Sequence, residues 1–200
     1  MSLRLGPLVV DAADPPALST FWAAVLGVDT QRPLLVFRPQ DRPKTVKNRV
    51  HVDLDVRDIA ALLDLGARVL AEYPGWTTLA DIEGNEFCAF PRERDGGPPA
   101  RLFAVCTDSD RPEELAAWWA PRVGAELRDG PDGTPRWLYG SSGWEDLIWK
   151  FVRVDDRRVV PNRWRWSVDS APRRADGPAG QRVQRAPAIV PIGLSSAVHI

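Results

Sequence analysis

Runs of apolar residues along this chain switch between two periods, and the switches recur in the same order. Leu8-Val9-Val10 is a short apolar run ending in Asp11-Ala12-Ala13-Asp14, which predicts a strand entering a turn. Asp14 followed by Pro15 and Pro16 predicts a capped helix start, and Leu18, Phe21, Trp22, Val25 and Leu26 then fall at helical spacing until Gly27. Leu34 to Phe37 reads as a second strand and Pro43 to Lys47 as a polar connection. From Val50 to Val56 apolar and polar residues alternate, the period of a half-buried strand. Asp58 opens a second helix carrying Ile59, Leu62, Leu63 and Leu65, with Gly66 near its end. Trp76 to Leu79 and Phe87 to Phe90 read as strands joined by the turn Asp81-Ile82-Glu83-Gly84-Asn85, where Gly84 supplies a positive φ.

After the charged, Gly/Pro-rich stretch PRERDGGPPA the plan restarts. Leu102 to Val105 is a strand, and Pro112 to Trp119 begins a helix whose LAAWWA answers LSTFWA in the first. Arg136 to Tyr139 and Leu147 to Val154 are further strands, leading to NRWRWSVD, Asn162 to Asp169. That segment repeats NRVHVDLDV, Asn48 to Val56, with Arg165 in the place of His51. Internal repetition of this kind implies modules rather than one continuous pattern. The copies are unequal: between Gly27 and Asn48 there is room for one strand, whereas between Gly124 and Asn162 there is room for three. The expected organisation is a first domain over 1–92, a linker over 93–100, a partial second domain over 101–170, and an atypical or disordered tail over 171–200. That tail has few large side chains to offset ordering entropy. A shifted reading frame in the gene would produce the same loss of pattern.

A net charge of −1 gives no electrostatic reason to expect nucleic acid or an acidic membrane as partner. Arginine far outnumbers lysine, which is found only at 44, 47 and 150, and reads as a GC-rich coding sequence. Cys88 and Cys106 are the only cysteines and form no CxxC, which fits a reducing compartment. No stretch reads as a signal peptide or is apolar enough to span a bilayer, so a cytoplasmic location is expected.

DAADPPALSTFWAAVLG, KNRVHVDLDVRDIAALLDLGA and WTTLADIEGNEFCAF together resemble the glyoxalase-like branch of the vicinal oxygen chelate superfamily, which includes glyoxalase I, bleomycin-resistance proteins, epimerases and extradiol dioxygenases. The resemblance covers Leu3 to Pro91, and Arg101 to about Asp169 as most of a second unit. It implies an α+β fold of βαβββ modules forming a curved mixed sheet with helices on its outer face. There would be two tandem glyoxalase-like units, the second incomplete. It also implies a small-molecule ligand in a pocket of the first domain and, through the unclosed sheet edge, room for a homodimer.

Members of that superfamily that use a metal take ligands from the first strand of each module and the last strand of the second. Carried over here, those positions fall at Pro7, which has no ligating side chain, at His51, and at Cys88, with Glu86 two residues earlier on the same face. The set is incomplete for a divalent Zn, Fe, Mn or Ni, which wants about three protein ligands, so a metal-free site is the favoured expectation. The candidate catalytic residues are His51, as proton shuttle or ligand, and Glu86, as base or second ligand. Asp53, Trp76 and Cys88 are the candidate ligand-binding residues. Against this stands the plain reading of His51 as a buried histidine bonded to Asp53 or Glu86, and of Cys88 as an inert core residue. Trp22, Trp118 and Trp119 are expected in the core, while Trp76, Trp164 and Trp166 are candidates to line a pocket. A lyase- or isomerase-type enzyme of unknown substrate leads, and a metal-free binding protein of the drug-sequestering kind is the alternative.

Overall fold

The computed structural model describes residues 3–27, 34–93, 95–156, 159–170 and 188–189. The first half of the chain forms β1 (Leu3–Leu5), β2 (Leu8–Ala12), α1 (Pro15–Leu26), β3 (Leu35–Pro39), β4 (Val50–Val56), α2 (Ile59–Asp64), β5 (Arg68–Tyr73), β6 (Trp76–Ala80) and β7 (Glu86–Pro91). The second forms β8 (Ala100–Ser109), α3 (Pro112–Val123), β9 (Glu126–Asp129), β10 (Pro135–Tyr139), β11 (Ile148–Arg153), β12 (Trp164–Arg165), β13 (Ser167–Ser170) and β14 (Ala188–Ile189). The result is an α+β protein built on an extensive curved mixed sheet with few helices. The expected tail over 171–200 lies outside the described residues, apart from β14.

Both long helices start and stop where the sequence chemistry requires. The Asp14 carboxylate accepts from the Ala17 amide at 3.0 Å, Pro15 and Pro16 need no helical donor, and Gly27 closes α1 in the left-handed region at φ 60°. Gly124 ends α3 in the same way at φ 66°. The buried faces of α1 and α3 join one apolar core with Val50, Val52, Leu54 and Val56 of β4.

Strand order decides the architecture. Eight strands run β5-β6-β7-β4-β8-β11-β10-β9, with β4 and β8 antiparallel at the centre. β4 of the first half is therefore hydrogen-bonded directly to β8 of the second, across the 93–100 connection. The ends of the chain pair with each other instead: β12-β2-β3 is one three-stranded sheet and β1-β13-β14 another. An approximate symmetry relates the two pairings, since the Asp108 amide donates to the Arg49 carbonyl at 2.7 Å and the Asp11 amide to the Arg163 carbonyl at 2.8 Å. The repeated Asn-Arg pair sits at the seam, where the Arg49 amide donates to Asn162 Oδ1 at 2.7 Å.

Two expectations for tryptophan are corrected. Trp164 and Trp166 are buried in the core, against Trp22 and Trp119 respectively, and line no pocket. Trp164 lies in β12 and Trp166 between β12 and β13, and alternation in the sequence alone does not say which face turns inward. Trp118, expected in the core, is exposed on α3 with the Arg122 guanidinium over its ring.

Candidate functional site

Alternation along β4 sends Val50, Val52, Leu54 and Val56 to the helices and places His51, Asp53 and Asp55 on the other face of the eight-stranded sheet. Register then determines what meets them. His51 lies opposite Cys106, Cys106 beside Lys150, and Lys150 opposite Trp137, one row across β4, β8, β11 and β10. One pleat along, Asp53 faces Ala104 on one side and Cys88 on the other. A bulge in β8 at this level inserts Phe103, whose ring meets the Lys150 ammonium at 4.7 Å.

The centre of the cluster is the Asp53 carboxylate, 4% exposed at its side chain. Its Oδ2 accepts from Lys150 Nζ at 2.9 Å and from the Cys106 thiol at 3.2 Å, and its Oδ1 lies 3.6 Å from His51 Nε2. Lys150 is held from the other side by the rings of Phe103, of Trp137 at 4.9 Å and of Phe90 at 5.7 Å. His51 Nδ1 and Trp137 Nε1 are buried without a hydrogen-bond partner among the described residues. Burial pulls the His51 imidazole below its ordinary value of 6.5, and the nearby Asp53 carboxylate only partly opposes this. Both cysteines are thiols: burial, reinforced by the Asp53 charge, pushes Cys88 up to about 12 and Cys106 well above its ordinary range.

The candidate residues separate into two groups. His51, Asp53 and Cys88 come together, with one ligating atom from each within 4.8 Å of the others. Glu86 lies on the same strand face, but its carboxylate is held by Lys44 Nζ at 2.5 Å and by the Asn48 amide at 3.1 Å. Trp76 sits towards the sheet's edge, stacked between Tyr73 at 4.7 Å and Phe90 at 5.9 Å. Pro7 is remote from this cluster and uses its carbonyl to accept from the Ser167 hydroxyl. In the other pairing of modules Arg165 takes the place of His51 and grips Asp11 through two contacts of 2.5 and 2.6 Å. There the histidine has been replaced by a closed ion pair.

Lys150, Cys106, Phe103 and Trp137 were not foreseen. A signal was present in the rarity of lysine. Each of the three lysines holds a carboxylate on or beside this face: Lys44 on Glu86, Lys47 on Asp108 at 2.6 Å, and Lys150 on Asp53. Two cavities lie elsewhere. One of about 540 Å³ is an open depression at Arg57, Arg92 and Glu93. The other, of about 230 Å³, lies at the seam between residues 40–48 and 160–163. Neither holds the His51 cluster, and the buried ionisable groups identify the chemical site better than volume does.

Residues 7–90 match the family described as glyoxalase-like domain. Over these residues the chain is similar to glyoxalase-like domains. Among solved structures, a glyoxalase I mutant from Zea mays superposes with a TM-score of 0.56 at 14% identity, covering 84% of this chain and 74% of that one. A protein described as a putative dioxygenase from Bacillus subtilis superposes with a TM-score of 0.54, also at 14% identity, covering 78% and 65%. At such identities the likeness is one of fold. Among curated proteins none matches the chain. Among the described residues no helix is long and apolar enough to cross a membrane.

The resemblance read from the sequence, to a superfamily with metal-using members, raises the question of whether a divalent ion fits this site. His51, Asp53 and Cys88 offer nitrogen, oxygen and sulfur, a donor set suited to zinc. Their surroundings do not suit it. Asp53 Oδ2 is already taken by an ammonium and a thiol, and Cys88 would have to ionise against its burial. A cation among these ligands would stand close to Lys150, where repulsion is on the order of 4 kcal/mol per unit charge at 4 Å and an effective dielectric of 20. The residues present do not fit a divalent ion.

Proposed function

We propose that this face binds a small oxygen-bearing compound and moves a proton next to its carbonyl group, a lyase- or isomerase-type reaction that needs no metal. The observation that carries the reading is the buried cluster His51–Asp53–Lys150, a neutral imidazole and an ammonium flanking one carboxylate. His51, whose side chain is 11% exposed, takes the proton from carbon and returns it to the product. The developing enolate oxygen is stabilised by the Lys150 ammonium, a donor held in place before the reaction begins. Glu86, clamped by Lys44 and Asn48, acts as a positioning residue at the edge of the site. The stacked Tyr73, Trp76 and Phe90 form an apolar wall for the ligand's body.

The test is exchange of solvent deuterium into the α-carbons of a panel of small ketones and 2-oxo acids, followed by proton NMR. The native protein is expected to exchange at least one of them, and His51→Gln to lose roughly 10²–10⁴-fold in rate. The rate should fall in acid, because the base works only when neutral and burial keeps it neutral down to a pH below 6.5. Binding of a panel member with no exchange would overturn the enzymatic reading in favour of a metal-free binding protein. That alternative draws on the two thiols being un-ionised and on Glu86 being engaged, which leave His51 as the site's one base among the described residues.

The same shift has a stability consequence. A histidine whose folded pKa lies below 6.5 resists protonation that the unfolded chain accepts. Its contribution is therefore complete above pH 6.5 and is lost as pH falls from there towards the folded value. Urea midpoints should decline across that window in the native protein and less so in His51→Gln.

A further inference from the structure

We infer that Lys150 is the resident cation of this site, and that removing its charge uncovers a transition-metal site made by His51, Asp53 and Cys88. Three observations converge. The ligating atoms of those residues lie within 4.8 Å of one another, so the donors for a metal are already assembled. The central donor is spoken for, since Lys150 Nζ sits 2.9 Å from Asp53 Oδ2. The lysine is also anchored: its side chain is 11% exposed and its ammonium is packed against Phe103, Trp137 and Phe90, so it cannot swing away into solvent.

Register explains how a residue 97 positions away reaches Asp53. Lys150 stands beside Cys106, which is opposite His51, and the residue opposite Asp53 on the intervening strand is the small Ala104. The ammonium reaches diagonally over that alanine to the carboxylate. A fixed positive charge therefore sits on the Asp53 carboxylate, the donor between His51 and Cys88, beside the place a divalent ion would need. Coulomb repulsion and the loss of the Asp53 oxygen act together to exclude the ion. Metal uptake in the absence of the ammonium would form bonds from His51 nitrogen, the Asp53 carboxylate and the Cys88 thiolate, with the thiol proton released to solvent.

The experiment uses the full chain, prepared free of metal and titrated with Co²⁺. Absorption reports sulfur-to-cobalt charge transfer, and the thermal midpoint reports binding to the folded state. Lys150→Ala and Lys150→Leu are expected to bind one Co²⁺ with a thiolate band and a metal-dependent rise in Tm. Their affinity should be about 100-fold or more above the native protein's. Adding Cys88→Ser to either should abolish the band. Lys150→Arg, which keeps the charge, is expected to refuse the ion. Stoichiometric Co²⁺ uptake by the native protein through the same thiolate would overturn the inference. So would uptake by Lys150→Arg, or failure of both neutral variants to bind while circular dichroism shows them folded. The leucine variant keeps the apolar packing of the stem, so the inference stays testable if the alanine variant does not fold. None of these readouts involves turnover: failure of the neutral variants, or uptake by Lys150→Arg, leaves the proton-transfer proposal standing. Uptake by the native protein would also count against its metal-free base, and loss of the exchange activity leaves this inference untouched.

Discussion

Asp53→Ala is expected to lower the stability of the protein by about 3–5 kcal/mol, measured as a shift in urea unfolding, because it strands a buried ammonium. In the native protein Asp53 answers the Lys150 charge at 2.9 Å and accepts from the Cys106 thiol. With the carboxylate gone, three aromatic rings remain as partners for Lys150, and cation–π contacts return only part of what is lost. The double variant Asp53→Leu with Lys150→Leu should recover most of the deficit, since an apolar pair of similar volume needs neither charge nor partner. A double variant no more stable than Asp53→Ala would show that the effect comes from packing rather than from the unpaired charge.

Asp81→Ala is the second large loss, also expected at about 3 kcal/mol or more by urea unfolding, since several buried donors lose their acceptor at once. The Asp81 side chain is buried and accepts five hydrogen bonds: from Trp22 Nε1 at 3.1 Å, from the Glu83 and Asn85 amides at 2.9 Å, and from Asn85 Nδ2 to both of its oxygens. Each donor left unpaired in the core carries its own desolvation cost. The bond to Trp22 also ties α1 to the turn ahead of β7, so the variant should loosen both. Asp81→Asn is expected to fall well short of rescue. Every group facing this side chain is a donor, and an amide would have to present its own N–H₂ to one of them. Burial raises the Asp81 pKa above 3.8 even against these hydrogen bonds. Stability linked to this group is therefore present below pH 3.8 and is lost as pH rises through the folded value. A pH titration of unfolding in Asp81→Ala should lack that component.

Much of the fold could be read from the sequence because its signals are local. The Asp14 cap, the Gly27 stop, the alternation from Val50 to Val56 and the Gly84 turn all need only neighbouring residues, and each is in place. His51 was legible for the same reason, as the polar member of an alternating strand. What could not be read was pairing. Nothing between Asp53 and Lys150 announces that β4 joins β8 and that β8 joins β11 in parallel, so the partner that defines the site stayed hidden. Glu86 was correctly placed on the strand face, but its ion pair with Lys44 was hidden, because that lysine comes from an irregular loop. The rarity of lysine, which composition alone attributes to codon usage, was the one trace of the site carried by the sequence beyond its strands.

The way the sheets are shared out along the chain also bears on how the molecule assembles. Contacts at the central β4–β8 joint span about 53 residues, as for Asp53 and Cys106, whereas the terminal strands meet across 154, as for Asp11 and Arg165. Closing the longer loop from an unfolded chain costs only roughly 1 kcal/mol more, since the entropy grows with the logarithm of length. The order of events is set by something else: once the inner eight strands exist, most of the long loop is already folded, and the two ends need only find one another on a finished scaffold. Assembly from the middle outwards would leave the terminal strands the last to gain protection in pulsed hydrogen exchange, with the amides of Val10 and Trp164 trailing those of Val52 and Val105. Simultaneous protection of all four would instead mark the whole chain as one cooperative unit.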